Sequence, residues 1–135
     1  MANVAIYLEK NPPDFSSLGE GVIFTSDKSG TRYEFMVAGQ PVIFDALPQE
    51  QLAQHLLGFS GYVRQLKDDP EENRRDAVDR ISRIRCVLGM ITDTEFDENL
   101  FEPLSKLMWY NGGLVFSYDS IYLYDGSVLV GPERH

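Results

Sequence analysis

The stretch NGGLVFSYDSIYLYDGSVLV, residues 111–130, decides how this chain closes its fold. It contains apolar segments separated by two short polar pairs, each of which includes an aspartate. An Asp-Gly pair between apolar segments is a strong signal of a β-hairpin, because both residues tolerate the positive φ angles of a tight turn. The pattern therefore predicts a β-meander at the end of a folded sheet. The predicted strands are residues 114–118, 121–124 and 128–130, with turns at Asp119-Ser120 and Asp125-Gly126.

The segment before the meander has the pattern of a strand followed by a helix. Residues 84–91 are apolar on both faces beyond Arg85, which is typical of an interior strand. Asn99, with Glu102 three residues later, predicts the start of a helix, and Gly112 predicts its end. Strand, helix and strand in this order predict a crossover that joins two parallel strands.

Two helices are predicted further towards the N-terminus, at residues 48–66 and 71–83. The first carries apolar residues at helical spacing along one stripe. The second carries three acid–base pairs, each four residues apart with the acid first, the order that stabilises a helix. Residues 67–72, or the loop at Pro12-Pro13, are expected to be the least ordered parts of the chain. The three pairs are Glu71–Arg75, Asp76–Arg80 and Asp79–Arg83.

The N-terminal third shows four strand patterns, at residues 4–8, 21–25, 31–38 and 42–44. In the third of these, apolar residues recur at every second position, which indicates one buried and one wetted face. Residues 1–135 are thus predicted to form a single α+β domain. The expected order is an N-terminal antiparallel sheet of about four strands, two consecutive helices, and then strand, helix and β-meander. A single layer of helices is expected to pack on a mixed sheet.

The composition limits the class of partner. Of the 135 residues, 12 are basic and 21 are acidic, which gives a net charge of −9. This average field repels the phosphates of nucleic acids and the surfaces of anionic membranes, whereas it attracts a basic protein. Strong acidity also keeps many cytosolic proteins soluble, so the charge alone leaves both explanations open.

The sequence predicts a cytoplasmic protein without a cofactor. The first residues lack the basic start of a signal peptide, and no apolar run is long enough to span a membrane. The single cysteine, Cys86, lies in an apolar run and cannot form an internal disulfide, which suits a reducing compartment. The sequence contains no phosphate-binding loop and no CxxC or HExxH motif, so we expect no cofactor.

One cluster of carboxylates, directly after the predicted interior strand, suggests a metal site. If the chain is extended there, Asp93, Glu95 and Asp97 project from one side, and carboxylate oxygens are ligands that Mg²⁺ and Ca²⁺ prefer. With Arg85 nearby, this cluster would serve a metal-assisted hydrolase or a small-ligand enzyme. The alternative is structural, because Asp97 and Glu98 would stabilise the N-terminus of the following helix and Asp93 would be a solvated loop residue.

Aromatic residues crowd into the last helix and the meander. In the predicted strand 121–124, Tyr122 and Tyr124 share one face, and Ile121 and Leu123 share the other. If the aliphatic face is buried, the tyrosines reach the surface beside carboxylates, a combination typical of protein-binding surfaces. The alternative is that a second layer of helices covers them. The residues of this predicted surface are Trp109, Tyr110, Tyr118, Asp119, Tyr122, Tyr124 and Asp125.

These features fit best a non-enzymatic, acidic protein-binding module that presents tyrosines and carboxylates to a partner with a basic surface. In general character, though in no particular motif, such a small acidic α+β domain resembles bacterial immunity and adaptor proteins. That resemblance implies that the protein would neutralise or recruit its partner. The first alternative is the metal-assisted hydrolase or small-ligand enzyme, and the second is a structural subunit of a homo-oligomer such as a homodimer. Nucleic acids and membranes are not expected as partners.

Overall fold

The computed structural model describes residues 4–19, 21–26, 30–37, 39–92 and 98–134. Within these ranges the chain forms eight β-strands and three α-helices, and the predicted α+β class is confirmed. Strands come first along the chain, then two helices, and then a strand, a helix and three strands. The elements are β1 (Val4–Leu8), β2 (Gly21–Ser26), β3 (Gly30–Val37), β4 (Gln40–Ala46), α1 (Gln49–Arg64), α2 (Glu71–Ser82), β5 (Cys86–Ile91), α3 (Glu98–Asn111), β6 (Gly113–Ser117), β7 (Ser120–Tyr122) and β8 (Val128–Val130).

The strands form one sheet in the order β2-β3-β4-β5-β1-β6-β7-β8, and every neighbouring pair is antiparallel. The prediction of a mixed sheet is therefore wrong. The sheet is antiparallel throughout because β1 lies between β5 and β6. Tyr7 of β1 pairs with Val87 of β5 on one side and with Leu114 of β6 on the other. The crossover through α3 does join two strands of the same direction. Because β1 lies between them, those strands never exchange hydrogen bonds with each other.

Helices cover both faces of the sheet, so the prediction of a single helical layer is also wrong. Side chains of β1 alternate, with Ile6 and Leu8 on the face that α3 covers and Tyr7 on the face that α1 and α2 cover. We call these the α3 face and the α1/α2 face. Central strands that are apolar on both sides need cover on both sides, which requires three layers. Buried side chains include Leu88, Leu104 and Met108 on the α3 face, and Phe59, Val63, Ile81, Leu114 and Ile121 on the α1/α2 face.

The three acid–base pairs predicted along α2 are confirmed. The Arg75–Glu71, Arg80–Asp76 and Arg83–Asp79 pairs have nitrogen–oxygen distances of 3.2, 3.1 and 2.5 Å. All three pairs are partly or largely exposed, so each adds only a few tenths of a kcal/mol. These three arginines therefore have partners within the chain.

The linker between α1 and α2, which we expected to be among the least ordered parts of the chain, contains a buried acid. Asp69 is only 4% exposed, and its Oδ2 accepts a hydrogen bond of 2.9 Å from the backbone N–H of Gly131. A guanidinium nitrogen of Arg134 lies 3.8 Å from the other carboxylate oxygen. The linker therefore holds the segment that follows β8.

Candidate functional site

A groove of about 830 Å³ lies between α3 and the C-terminal meander. Its helical wall is one stripe of α3, formed by Glu98, Phe101, Glu102 and Ser105. These residues are three, four and seven positions from the first, the spacing that puts side chains on one face of a helix. The other wall comes from the turns and the strand of the meander and from the segment after β8. It consists of Tyr118, Tyr122, Tyr124, Asp125, Gly126 and Glu133.

The turn between β6 and β7 brings Tyr118 to the groove. Tyr118 and Asp119 have φ angles of 51° and 60°, so both adopt the left-handed conformation that a tight hairpin turn requires. The turn thus lies one residue before the predicted Asp119-Ser120 pair. The phenol O–H of Tyr62 in α1 donates a hydrogen bond of 2.7 Å to the carbonyl oxygen of Asp119, which holds this turn in place.

Strand β7 separates an aliphatic side chain from an aromatic one, as predicted. Ile121 is fully buried on the α1/α2 face, whereas Tyr122 is half-buried on the α3 face. The ring of Tyr122 lies 6.4 Å from the ring of Phe101, so α3 partly covers it. Burial, and then the charge of Glu133 and the nearby Tyr118, raise the pKa of Tyr122 above its ordinary value. Tyr122 therefore forms part of the groove wall, and its phenol is neutral. Its side chain is less exposed than predicted.

The turn between β7 and β8 carries Tyr124 and Asp125. Tyr124 lies beyond the end of β7, and the Ser105 hydroxyl of α3 donates a hydrogen bond to its carbonyl oxygen. Asp125 Oδ1 accepts hydrogen bonds from the Ser127 backbone N–H at 3.0 Å and from the Ser127 hydroxyl at 2.6 Å. These bonds lower the pKa of Asp125 below its ordinary value, so the carboxylate is ionised at neutral pH. The predicted Asp125-Gly126 turn is confirmed, with Gly126 at a φ angle of 85°.

At one end of the groove, an exposed pair of aromatic rings continues the helical wall. Trp109, one helical turn beyond Ser105, has its ring centroid 5.1 Å from that of Tyr124. The side chains of Trp109, Tyr124 and Tyr118 are 66%, 48% and 49% exposed. The structure therefore brings these predicted residues together with Tyr122 and Asp125. Tyr110 is also exposed, but neither it nor Asp119 lines the groove.

Sequence reasoning missed six residues of the groove, among them Ser105 of α3 and Gly126 of the meander turn. Glu98, Phe101 and Glu102 could have been found from their shared stripe on α3, since that spacing is visible in the sequence. Glu133 had no such signal. Its position depends on the chain after β8 turning back, where the Glu133 backbone N–H donates a hydrogen bond of 2.9 Å to the buried Ser120 hydroxyl.

The proposed metal ligands Asp93, Glu95 and Asp97 lie outside the described residues. In the part of the chain that the structure describes, no group of three or more His, Cys, Asp or Glu side chains is arranged to hold a metal ion. Arg85, which was expected near that cluster, is exposed. The metal-site hypothesis stays a prediction.

No protein-family model matches this chain, and searches of curated proteins and of solved structures found no match either. Among the described helices, none is both long and apolar enough to cross a membrane. Function therefore has to be inferred from the groove and the residues around it.

Proposed function

We propose that this protein is a non-enzymatic binding module that holds a protein partner in the groove and on the rings beside it. The observation that carries this proposal is the exposed Trp109–Tyr124 pair at the end of the groove. Exposed tryptophan and tyrosine side chains contribute much of the energy at protein interfaces, because they bury a large area with few rotatable bonds. Here a hydrogen bond from α3 to the Tyr124 carbonyl also fixes the backbone beneath the pair.

The charge of the groove supports a basic partner. All four charged residues that line the groove, among those described, are acidic: Glu98, Glu102, Asp125 and Glu133. The whole chain carries a net charge of −9, which would steer a basic protein towards it and speed association at low salt. An immunity or adaptor role in the cytoplasm, in which the module neutralises or recruits that partner, is the form of this activity that we propose.

Variant-dependent capture tests this function. Wild-type protein and the Trp109→Ala and Tyr124→Ala variants are immobilised and exposed to an extract of the native host, and the protein retained is then titrated against each variant in calorimetry. Leu57→Ala is the control, because Leu57 is 70% exposed but lies on α1, against the opposite face of the sheet. A protein held by wild type and by the control but released by both aromatic variants supports the proposal. Equal retention by all four contradicts it.

Self-association is a second candidate, favoured by an uncovered part of the sheet. On the α1/α2 face beyond the helices, Met36 of β3 is 64% exposed and Ile91 of β5 is 38% exposed. Ile43 of β4 pairs directly with Ile91 in the sheet register and Met36 lies opposite Pro41, which leaves an apolar area that only Glu34, opposite Ile43, interrupts. A second copy would cover it. Sedimentation over a wide concentration range tests this candidate, and a constant monomer mass would exclude it.

A further inference from the structure

The groove combines two kinds of side chain that attract the same ligand chemistry. Phe101, Tyr118, Tyr122 and Tyr124 contribute aromatic rings, whose faces carry partial negative charge. The acidic residues contribute full negative charges at the rim and walls. The rings alone would be enough to bind a neutral apolar ligand, and the carboxylates alone would be enough to bind a simple cation. The two together favour a flat or extended cation.

The negative charge of the groove is only weakly neutralised by nearby cations. Lys106 approaches Glu102 at 3.9 Å, but both side chains are more than half exposed, so this pair is worth little. Arg80 acts on Asp125 electrostatically, while its own hydrogen bond goes to Asp76 in α2. Within the described ranges, Glu98 and Glu133 form no ion pair. A ligand cation would therefore meet largely uncompensated carboxylates.

We infer that the groove binds an arginine side chain presented by a short segment of the partner protein. This inference rests on the proposed function. A guanidinium group is planar, so it stacks on a tyrosine ring while its N–H groups pair with a carboxylate in two parallel hydrogen bonds. Tyr122 and Glu133 both line the groove, so its wall offers such a ring and such a carboxylate to one ligand. A lysine ammonium would gain the charge attraction but not the flat stacking.

The size of the groove fits a peptide segment better than an isolated ion. About 830 Å³ lies in the upper part of the range that accommodates drug-sized ligands, which corresponds to roughly a few amino-acid residues. The acidic rim would then contact the basic neighbours of the bound arginine. The exposed ring of Trp109 lies at the end of this volume and would cover the next part of the segment.

Three blocked tripeptides test the inference on the wild-type chain: Gly-Arg-Gly, Gly-Lys-Gly and Gly-citrulline-Gly. Citrulline replaces the guanidinium with a neutral urea of nearly the same shape. Amide NMR titration should show the arginine peptide shifting Tyr118, Tyr122 and Gly126, with an affinity roughly tenfold or more above that of the citrulline peptide and with lysine in between. Equal affinity for arginine and citrulline would overturn the inference, as would shifts elsewhere or no binding at about 10 mM peptide.

Matched variants give a second readout. Glu133→Gln should weaken the arginine peptide roughly two- to fivefold, and Tyr122→Leu roughly three- to tenfold. Glu50→Gln and Leu57→Ala, both on α1 against the opposite face, should leave its affinity unchanged. Equal weakening by Glu50→Gln and Glu133→Gln would show a general charge effect and overturn the specific site.

The failure of this inference and that of the proposed function are distinguishable. If arginine and citrulline bind equally while Trp109→Ala and Tyr124→Ala still release the captured partner, only the arginine specificity is wrong. If the partner stays bound to both aromatic variants, the protein-binding surface itself is wrong.

Discussion

The indole of Trp109 and the phenol of Tyr124 have their ring centroids 5.1 Å apart, with the ring planes inclined at 51°. One ring belongs to α3 and the other to the last turn of the meander, which the chain reaches only after passing through β6 and β7. The Ser105 hydroxyl joins the same two elements one helical turn earlier, at the Tyr124 carbonyl. Helix and turn therefore present one aromatic surface that does not depend on the partner for its shape.

Removal of either ring should affect binding far more than stability. Trp109→Ala and Tyr124→Ala each lose one contact between largely exposed rings, so we expect the free energy of unfolding to fall by no more than about 1 kcal/mol. Affinity for the captured partner should fall about tenfold or more. Urea unfolding and calorimetry measure the two quantities. A variant that unfolds readily but binds normally would contradict this assignment.

The turn at Tyr118 should be more stable with a residue suited to its backbone. Tyr118 has a φ angle of 51°, a left-handed conformation that costs most residues about 1 kcal/mol and that asparagine tolerates. Tyr118→Asn should therefore leave the free energy of unfolding unchanged or raise it by up to about 1 kcal/mol, while partner binding weakens. Tyr118→Ala is the matched control, because alanine keeps the strain and should be less stable than the asparagine variant. Equal stability of the two variants would refute the strain argument.

The buried carboxylate of Asp69 should matter for stability although it lies in a linker. Asp69→Ala removes the acceptor of the Gly131 N–H and should lower the free energy of unfolding by about 2 kcal/mol. Asp69→Asn keeps an acceptor oxygen and should cost less. Hydrogen exchange at the Gly131 amide should be faster in the alanine variant than in the asparagine variant. Unchanged exchange in both would mean that this bond does not hold the segment after β8.

The free energy of unfolding should fall at alkaline pH because two buried groups, the Tyr7 phenol and the Cys86 thiol, resist ionisation. Burial raises the pKa of Tyr7 from 10.0 to about 12 and that of the Cys86 thiol from 9.0 to about 11. Below about pH 8 both groups are protonated in the folded and the unfolded chain, so they add no pH dependence. Above that, the unfolded chain releases these protons first, and the folded state loses stability as the pH rises towards 12.

Tyr7→Phe isolates about half of this effect, because the pKa values of Tyr7 and Cys86 are raised by similar amounts. The Tyr7 contribution, roughly 2 to 3 kcal/mol between pH 10 and 12, should vanish in the variant. The variant also loses the hydrogen bond of 2.8 Å between the Tyr7 phenol and His55, so it should be less stable than wild type at pH 8. Urea unfolding between about pH 8 and 12 measures both effects. Parallel curves for wild type and variant above pH 10 would contradict the assignment to Tyr7.

Local patterns in the sequence predicted the elements of this fold because local physics determines them. Periodicity and turn residues placed three helices and the meander close to their observed bounds, and Gly112, at a φ angle of 71°, ends α3 as expected. The position of β1 between β5 and β6 was not predictable in this way. It depends on pairing between residues far apart in the chain, such as Tyr7 with Leu114. That one placement turns the expected parallel pairing of β5 with β6 into two antiparallel pairings with β1.

The groove was predictable in part for the same reason. The aromatic residues of the meander and Trp109 could be identified from composition and strand alternation, and their proximity to Asp125 followed from the Asp-Gly turn. The cover that Phe101 gives to Tyr122 required knowing that α3 packs on the same face as this tyrosine. Placing Glu133 in the groove required knowing that the chain turns back after β8. Hydrogen bonds to the buried Ser120 hydroxyl and to Asp69 hold this returning segment.

Hydrogen–deuterium exchange of the protein in complex with its captured partner tests most directly whether the groove between α3 and the meander is the binding surface. Slower exchange on complex formation should be confined to α3 and to the turns that carry Tyr118 and Tyr124, with α1 and α2 unchanged. Protection confined to the sheet around Met36 and Ile91, with α3 unaffected, would contradict it.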